Sequence, residues 1–325
     1  MPESASVRFP LETPVLGLAP LAGYTNLPFR RLVKPLGADL VVSEMISANA
    51  IWFKDKRTSK LMQTCPEEQP VALQLFGAEP ERMGAAARRA TEFGPALLDI
   101  NAGCSVPKVM RTGAGARLLE DPGRLSEIIS AVCEATNLPV TVKLRLGPDP
   151  GQPDARQLIE AARKAGTCAV TVHGRYARET YRTPSRQGEL ACLAREFEGF
   201  PLLANGDFWE AEAIVRALEE APFAGIMLGR PALANPWLFS EAKALLRGEK
   251  LPCPADYSVR KTFMLELARA LADFDSERGA VLGLRKYASA LTRNVPQGAG
   301  LRVRLNQLAS LTEFEQLLEA FTGDD

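Results

Sequence analysis

Eight short apolar segments recur along the first 230 residues, and each ends in small or polar residues. They are VLGLAP (15–20), LVVSEM (40–45), VALQLF (71–76), LLDINAGC (97–104), VTVKLRLG (140–147), AVTVHGR (169–175), LLANGD (202–207) and GIMLGR (225–230). Stretches of helical composition and period separate them, for example 80–94, 121–137 and 208–221. This alternation predicts an α/β fold, a TIM (β/α)8 barrel, with a doubly wound open sheet as the rival. No GxGxxG follows the first segment, which weakens the rival.

The pattern changes after Glu249, where LPCPAD forms a proline-bounded linker. From Tyr257 onward the sequence has helical periodicity and no convincing strand. We therefore expect two domains, a barrel at 1–250 and a small helical domain at 255–325.

The charges balance over the whole chain but not along it. The 39 Lys and Arg equal the 39 Asp and Glu, which excludes only a uniformly basic protein. Between Arg278 and Thr312 there is no acid. The basic residues of this stretch are Arg278, Arg285, Lys286, Arg293, Arg302 and Arg304. Solvated helix faces and contact with a polyanion explain this stretch equally well.

Neither a secretory signal nor a membrane helix is apparent, so we expect a cytoplasmic protein. The six cysteines are scattered without a CxxC pair, and we expect them to be reduced. Because His173 is the only histidine, a site made of several imidazoles is excluded, and no metal is expected.

Polar residues gather at the carboxyl ends of the predicted strands, where TIM barrels place their active sites. Buried polar groups need partners, so a ligand site explains them best. The turns of LANGD and MLGR, with Asn205, Gly206, Asp207, Gly229 and Arg230, lie where such barrels commonly bind phosphate. The alternative is that these glycines only form tight turns. The other polar residues are Gln74, Asp99, Asn101, Cys104, Lys143, Arg145, His173 and Arg175.

Three of these residues carry chemistry of their own. Lys143 beside a flavin ring would stabilise the anion of the reduced ring, while a Schiff base, as in an aldolase, is its second possible use. His173 belongs either to the site or to the core. Cys104 follows a strand end and Gly103, and its thiol can donate a proton at neutral pH.

Together these residues resemble the tRNA-dihydrouridine synthase family, flavin enzymes that reduce uridine in transfer RNA, and in particular its bacterial, B-type-like branch. The matching segments are APLAGYTNLPFR (19–30), SEM (43–45), QLFG (74–77), DINAGCSVPKV (99–109), VKLRLG (142–147), HGR (173–175), NGD (205–207) and GRPALANPWLF (229–239). A weaker match, LRKYASALTR, lies at 284–293.

The resemblance implies an FMN site, a proton donor and a mechanism. NADPH reduces FMN, a hydride passes to C6 of a uracil, and Cys104 protonates C5. Asn101, Arg145 and Arg175 would lie near the substrate, and Arg285 and Lys286 would contact tRNA. The implied FMN contacts are Pro20, Leu21, Ala22, Gln74, Lys143, His173, Asn205, Gly206, Asp207, Gly229 and Arg230.

Two positions depart from the family pattern. Ser105 replaces the usual Pro after the cysteine, which is expected to affect rate rather than reaction. Asn26 replaces Asp at a helix start, where both residues cap well.

Other functions remain open at this point. The main alternative is a flavin oxidoreductase acting on a free pyrimidine, and the others are a lysine-dependent aldolase and a non-catalytic RNA-binding barrel. For the favoured function we expect tRNA and NADPH as partners, no membrane, and a monomer.

Overall fold

The computed structural model describes residues 9, 11–12, 14–151, 154–293 and 295–321. Its strands are β1 (Val15–Leu18), β2 (Leu40–Val42), β3 (Ile46–Ser47), β4 (Val71–Phe76), β5 (Leu97–Asn101), β6 (Val140–Arg145), β7 (Ala169–His173), β8 (Leu202–Asn205) and β9 (Gly225–Leu228). All pairs are parallel in the order β2-β1-β9-β8-β7-β6-β5-β4-β3, and pairing of β2 with β4 closes the sheet into an eight-stranded barrel. The predicted TIM barrel is confirmed, and the open-sheet rival is wrong.

Helices cover the outside of the barrel. They are α1 (Leu27–Val33), α2 (Ala48–Trp52), α3 (Lys56–Met62), α4 (Pro80–Thr91), α5 (Pro107–Met110), α6 (Pro122–Glu134), α7 (Ala155–Lys164), α8 (Gln187–Glu196), α9 (Ala211–Glu220), α10 (Arg230–Ala234) and α11 (Leu238–Leu246), with 3-10 turns at Lys34–Leu36, Pro66–Glu68 and Gly115–Glu120. The three helical stretches predicted above correspond to α4, α6 and α9. α6 shows why: Asp121 accepts a hydrogen bond from Arg124 N, and Pro122 occupies the first turn. Asn26 caps α1 in the same way by accepting from Phe29 N, as predicted.

The second predicted strand, 40–45, ends earlier than expected. β2 stops at Val42, and the two-residue β3 follows after Met45. The backbone N–H of Gln74 donates to Ser43 Oγ rather than to a strand carbonyl, so a side chain interrupts the ladder at this point.

Alternation along the strands separates the core from the barrel interior. Outward residues such as Leu73, Ile100 and Val142 are fully buried and belong to the large apolar cluster that includes buried residues of the helices. A second cluster, with Leu40, Ala72 and further small or apolar residues, fills the amino-terminal part of the interior. Polar residues occupy the inward positions nearer the carboxyl ends.

Four helices follow the barrel: α12 (Tyr257–Phe274), α13 (Glu277–Leu291), α14 (Gly298–Leu305) and α15 (Leu311–Ala320). Within 257–293 and 295–321 no strand interrupts them. The ring of Phe29 in α1 stacks on Tyr287 with 5.0 Å between centroids and meets Phe263 edge-on at 6.3 Å. Aromatic contacts thus join this region to the barrel, while a division into two domains near residue 250 stays a prediction. None of the helices in the described part of the chain has the length and apolar character needed to cross a membrane.

Candidate active site

A cleft of about 910 Å³ opens at the carboxyl ends of the barrel strands. The register of the strands brings the polar residues of the cleft together. Gln74 pairs with Asp99, Asn101 pairs with Lys143, and His173 pairs with both Arg145 and Asn205. The sequence-predicted residues that line the cleft are Pro20, Leu21, Ala22, Gln74, Asn101, Cys104, Lys143, Arg145, His173, Arg175, Asn205, Gly206, Asp207, Gly229 and Arg230. Arg285 and Lys286 lie outside it.

A chain of hydrogen bonds fixes the amides in the cleft floor. Thr141 Oγ1 donates to Asp99 Oδ1 at 2.6 Å, and Gln74 Nε2 donates to Asp99 Oδ2 at 2.6 Å. Asn101 Nδ2 then donates to Gln74 Oε1 at 2.8 Å. Burial raises the pKa of Asp99, while these donors and Lys143 act in the opposite direction. Gln74 is fully buried and held in one orientation, with its second amide N–H not used by this chain of bonds.

Asn101 and Arg145 hold the turn that carries Cys104. Asn101 Oδ1 accepts from Cys104 N at 2.9 Å and from Gly103 N at 3.2 Å. Arg145 Nε donates to Gly103 O at 2.8 Å, and its Nη1 donates to Tyr176 O at 2.9 Å. Both side chains, expected near the substrate, thus bind the backbone beside the partly exposed Cys104.

Gly115 packs tightly against the same turn. A Cβ at this position would lie 2.5 Å from Cys104 O, and φ is +62°. Ala116 N donates to Cys104 O at 2.9 Å. Contacts from both sides therefore fix the turn although Ser105 stands in place of Pro.

Lys143 lies in the cleft as an ammonium group with few partners. Its Nζ donates to Asn205 Oδ1 at 2.8 Å, and Asn205 Nδ2 donates to Met227 O at 2.7 Å. Burial, followed by the positive charge of Arg145, lowers the pKa of Lys143 to about 7, and Asp99 opposes this shift. An anion bound next to this amine would favour its charged form.

Asp207, in the loop after β8, forms ion pairs with two arginines of the cleft. It pairs with Arg175 and, at 2.9 Å, with Arg230. Arg175 is 1% exposed and also contacts His173 Nε2 at 3.0 Å and Thr183 O at 2.6 Å. Burial and the surrounding cations lower the pKa of His173, so its ring is neutral. Arg175 is therefore held in a buried network at the cleft, and its contact with substrate stays a prediction. Asp207 orients both guanidinium groups.

Backbone groups at the two glycine turns are available to a ligand. Across the part of the chain that the structure describes, no protein acceptor pairs with the N–H groups of Gly206, Gly229 or Arg230. A Cβ at Gly206 would lie 2.4 Å from Ser185 Oγ and 2.9 Å from the His173 ring, and φ is +123°. The glycine thus allows the backbone to approach His173 closely.

The loop that carries Pro20, Leu21 and Ala22 is held from both the barrel and the helical region. Leu21 N donates to Thr25 Oγ1, and Thr25 O accepts from Arg30 Nη1 at 2.9 Å. Arg30 forms a buried bidentate pair with Glu68. On the other side, the hydroxyl of Tyr287 donates to Tyr24 O.

Two aromatic residues of the site were not predicted. Tyr181 lies on the loop after β7 with its ring centre 3.8 Å from the guanidinium carbon of Arg230, and the ring of Trp209 lies 5.5 Å from that carbon. Tyr181 lines the cleft. Its loop lacks periodicity, and the only available signal was its position shortly after the HGR segment.

The two predicted tRNA contacts on α13 differ in environment. Lys286 is exposed, and a Cβ at Gly23 would lie 3.4 Å from its Nζ, so it stands at the rim of the cleft. Arg285 is half-buried and donates through Nη2 to Leu308 O at 2.6 Å. Arg285 therefore connects α13 to the segment before α15.

Comparisons with known proteins agree with this geometry. The model of the dihydrouridine synthase family matches residues 17–324. A tRNA-dihydrouridine synthase B of Xanthomonas axonopodis pv. citri is 34% identical over 295 residues, covering 90% of this chain and 88% of the relative. A probable tRNA-dihydrouridine synthase of Rhodobacter capsulatus is 37% identical over 279 residues, covering 85% and 84%.

Solved structures share the barrel at low identity. A 2-naphthoyl-CoA reductase complex has a TM-score of 0.52 and 11% identity, covering 72% of this chain and 50% of that one. Histamine dehydrogenase from Rhizobium sp. 4-9 has a TM-score of 0.52 and 14% identity, covering 79% and 49%. The chain thus spans about half the length of these two proteins, and the likeness concerns the fold alone.

The family match decides between the functions that the sequence left open. It covers the barrel motifs and the helical region together, which neither a lysine aldolase nor an oxidoreductase for free pyrimidines explains. The chain belongs to the dihydrouridine synthase family, and the enzyme class predicted from its sequence, a flavin-dependent oxidoreductase, is confirmed.

Proposed function

We propose that this protein reduces uridines in transfer RNA to 5,6-dihydrouridine, with FMN as its flavin and NADPH as its electron donor. Family membership and the names of the relatives support the reaction. The observation that carries the proposal is the Cys104 turn, which presents a thiol to a cleft that also contains Lys143.

The residues of the cleft fit FMN. Its volume of about 910 Å³ lies within the range of small-molecule sites. Lys143 has three N–H donors and one protein acceptor, so two donors remain for polar atoms of a ring. The N–H groups of Gly206, Gly229 and Arg230 together with the Arg230 guanidinium suit a phosphate.

Each residue group then has a defined task. Pro20, Leu21 and Ala22 would line the ring, and Gln74 and Lys143 would bind its polar edge. Asn205 orients Lys143, and Asp207 orients Arg230 and Arg175. Because the negative charge of Asp207 would repel a phosphate, we assign Asp207 this orienting role and no direct phosphate contact. His173 is neutral and would contact the cofactor without adding charge.

When bound, the reduced flavin supplies the hydride that C6 of the uracil accepts. The chain must then provide one proton at C5 and stabilise the negative charge that develops on the base. The Cys104 thiol donates the proton, and Asn101 and Arg145 keep the thiol in position. Lys143, at the polar edge of the ring, would supply positive charge to the anion of the reduced flavin.

Transfer RNA would be bound by the helical region, which we propose as a separate domain at 255–325. Lys286 at the rim of the cleft contacts the RNA, whereas Arg285 supports the fold. A base in a folded RNA must be turned out to enter such a cleft. We place the monomeric enzyme in the cytoplasm with its substrate.

The test is a reconstituted reaction. The purified protein is supplied with FMN, NADPH and tRNA from a strain that lacks dihydrouridine, and the modified positions are mapped. Dihydrouridine is expected only when NADPH is present. A protein that binds no flavin, or that binds it and leaves the tRNA unchanged while reducing free uracil, would contradict the proposal.

A further inference from the structure

Four side chains alternate between aromatic rings and cations from the cleft to the helical region. The guanidinium carbon of Arg230 lies 3.8 Å from the ring centre of Tyr181 and 5.5 Å from that of Trp209. The guanidinium carbon of Arg293 lies 5.9 Å from the centre of the same indole. We call Tyr181, Arg230, Trp209 and Arg293 the cation–aromatic row.

The inner half of this row already has partners. Tyr181 and Arg230 line the cleft, and Arg230 is paired with Asp207. The outer half is available, since Trp209 is 38% exposed and Arg293 is exposed. Within the described residues, no acceptor pairs with the Arg293 guanidinium.

An exposed indole beside an exposed guanidinium suits one class of ligand. An aromatic ring offers a stacking surface for a nucleobase, and a guanidinium binds phosphate with two parallel donors. Base and phosphate together are a nucleotide. The site lies outside the cleft, so its nucleotide is not the one whose base reaches Lys143 and Cys104.

The position of the row favours RNA as the source of this nucleotide. Arg293 follows α13 directly and belongs to the acid-free stretch 278–312. Lys286 lies about two turns earlier on α13 at the rim of the same cleft. An RNA strand that leaves the cleft toward α13 therefore passes over Trp209 and meets the positive charges of Arg293 and Lys286.

We propose that Trp209 and Arg293 bind the nucleotide next to the uridine that is reduced, with Trp209 stacking on its base and Arg293 binding its phosphate. This inference rests on the proposed function. It makes Trp209 and Arg293 positioning residues, which hold the RNA so that the neighbouring base stays in the cleft.

The test compares Trp209→Ala, Trp209→Phe and Arg293→Gln in the FMN-loaded enzyme, with unmodified full-length tRNA transcript as probe. Loss of stacking is expected to weaken tRNA binding about tenfold in Trp209→Ala, and Trp209→Phe restores most of it. Arg293→Gln should weaken binding and lower the slope of log K against log salt by about one. Arg216→Gln is the matched control, because this exposed arginine lies on α9, the helix that follows Trp209 in the chain.

A second measurement distinguishes binding of RNA from binding of NADPH at the cation–aromatic row. The rate of flavin reduction by NADPH is measured without tRNA, together with flavin content and melting temperature. A raised NADPH concentration for half-maximal reduction, with tRNA affinity intact, would overturn the inference and assign the row to NADPH. Unchanged tRNA affinity in both Trp209→Ala and Arg293→Gln would overturn it as well. If the wild-type protein forms no dihydrouridine, the proposed function fails, and this inference fails with it.

Discussion

At the scale of single residues, the site depends on how firmly its reactive groups are held. The thiol of Cys104 is presented by a turn whose N–H and C=O groups are both bonded, to Asn101 and to Ala116. A group that delivers a proton to a carbanion must lie within hydrogen-bond reach of it. The fixed position of the Cys104 turn therefore decides its usefulness.

Cys104→Ala should retain bound FMN and its reduction by NADPH, since the proton is needed only later. Turnover on tRNA should fall by about 10²- to 10⁴-fold, as is typical for loss of a general acid. Stopped-flow measurement of both half-reactions checks this. The exposed Cys253 provides a control, and Cys253→Ala should behave as the wild type. Equal loss in both variants, or undiminished turnover in Cys104→Ala, would remove the acid role.

Lys143 gives the cofactor site a pH dependence. With the cleft free of anions, its pKa is lowered to about 7, so the amine loses its charge above that pH. Acceptor atoms at the polar edge of the FMN ring take hydrogen bonds from the charged amine, which raises this pKa, and binding then takes up a proton. Affinity for FMN should accordingly be greatest below pH 7 and fall as the pH rises from 7 toward 9.

Fluorescence titration of the apoprotein with FMN across pH 6 to 9 measures this effect. The slope should not exceed about tenfold per pH unit, the limit for one proton. Lys143→Met should bind FMN more weakly and without this slope. Because His173 is already neutral, it does not contribute. A wild-type affinity that is constant over the range would contradict the assignment.

At the scale of elements, the barrel was readable from sequence because its signals are local. Alternation along each strand alone predicts apolar residues at outward positions. It also predicts polar residues at inward positions near the carboxyl ends of the strands, such as Gln74, Asn101 and Lys143. The family motifs then identified the site. The early end of β2 was not predictable, because it depends on Ser43 bonding to a neighbouring strand.

The residues that sequence reasoning missed or assigned differently act across elements. Asp207, predicted from sequence at the phosphate, pairs with Arg175 after β7 and with Arg230 at the start of α10. Arg285, predicted from sequence as an RNA contact, has Leu308 O as a partner because α13 packs against the segment before α15. Such contacts depend on tertiary distances, which carry no local pattern.

Helix α13 supports one wall of the cleft through contacts of Tyr287. The Tyr287 hydroxyl donates to Tyr24 O, and its ring packs on Phe29. Tyr287→Phe keeps the ring but removes the donor, which should lower the free energy of unfolding by about 1 kcal/mol. Because Tyr24 borders the loop at Pro20 to Ala22, FMN affinity should fall a few-fold as well.

Chemical denaturation and FMN titration test this pair of effects. Tyr257→Phe is a matched control, since Tyr257 also donates to a backbone carbonyl, Leu318 O, but within the helical region. It should lose stability without losing FMN affinity. If both variants weaken FMN binding equally, α13 has no specific effect on the cleft wall.

At the scale of the whole molecule, a net charge of zero is compatible with a local excess of exposed positive charge. Acids and bases balance over the chain, yet the acid-free stretch faces solvent through Arg278, Lys286, Arg293 and Arg304. Two other members, Arg285 and Arg302, are bonded to backbone carbonyls of Leu308 and Thr292. Exposure, not sequence charge alone, therefore distinguishes RNA contacts from structural arginines.

This distinction predicts opposite outcomes for two adjacent residues. Lys286→Gln should leave the melting temperature unchanged, weaken tRNA binding, and reduce the salt slope by about one, because one phosphate contact is lost. Arg285→Gln should lower the melting temperature, because the partly buried Leu308 O loses its donor. Its salt slope should equal that of the wild type, since its guanidinium already has a protein partner. Filter binding at several salt concentrations measures the salt slopes, and thermal unfolding in parallel measures the melting temperatures. A salt slope that falls for the Arg285 variant but not for the Lys286 variant would mean that the tRNA lies on the other face of α13.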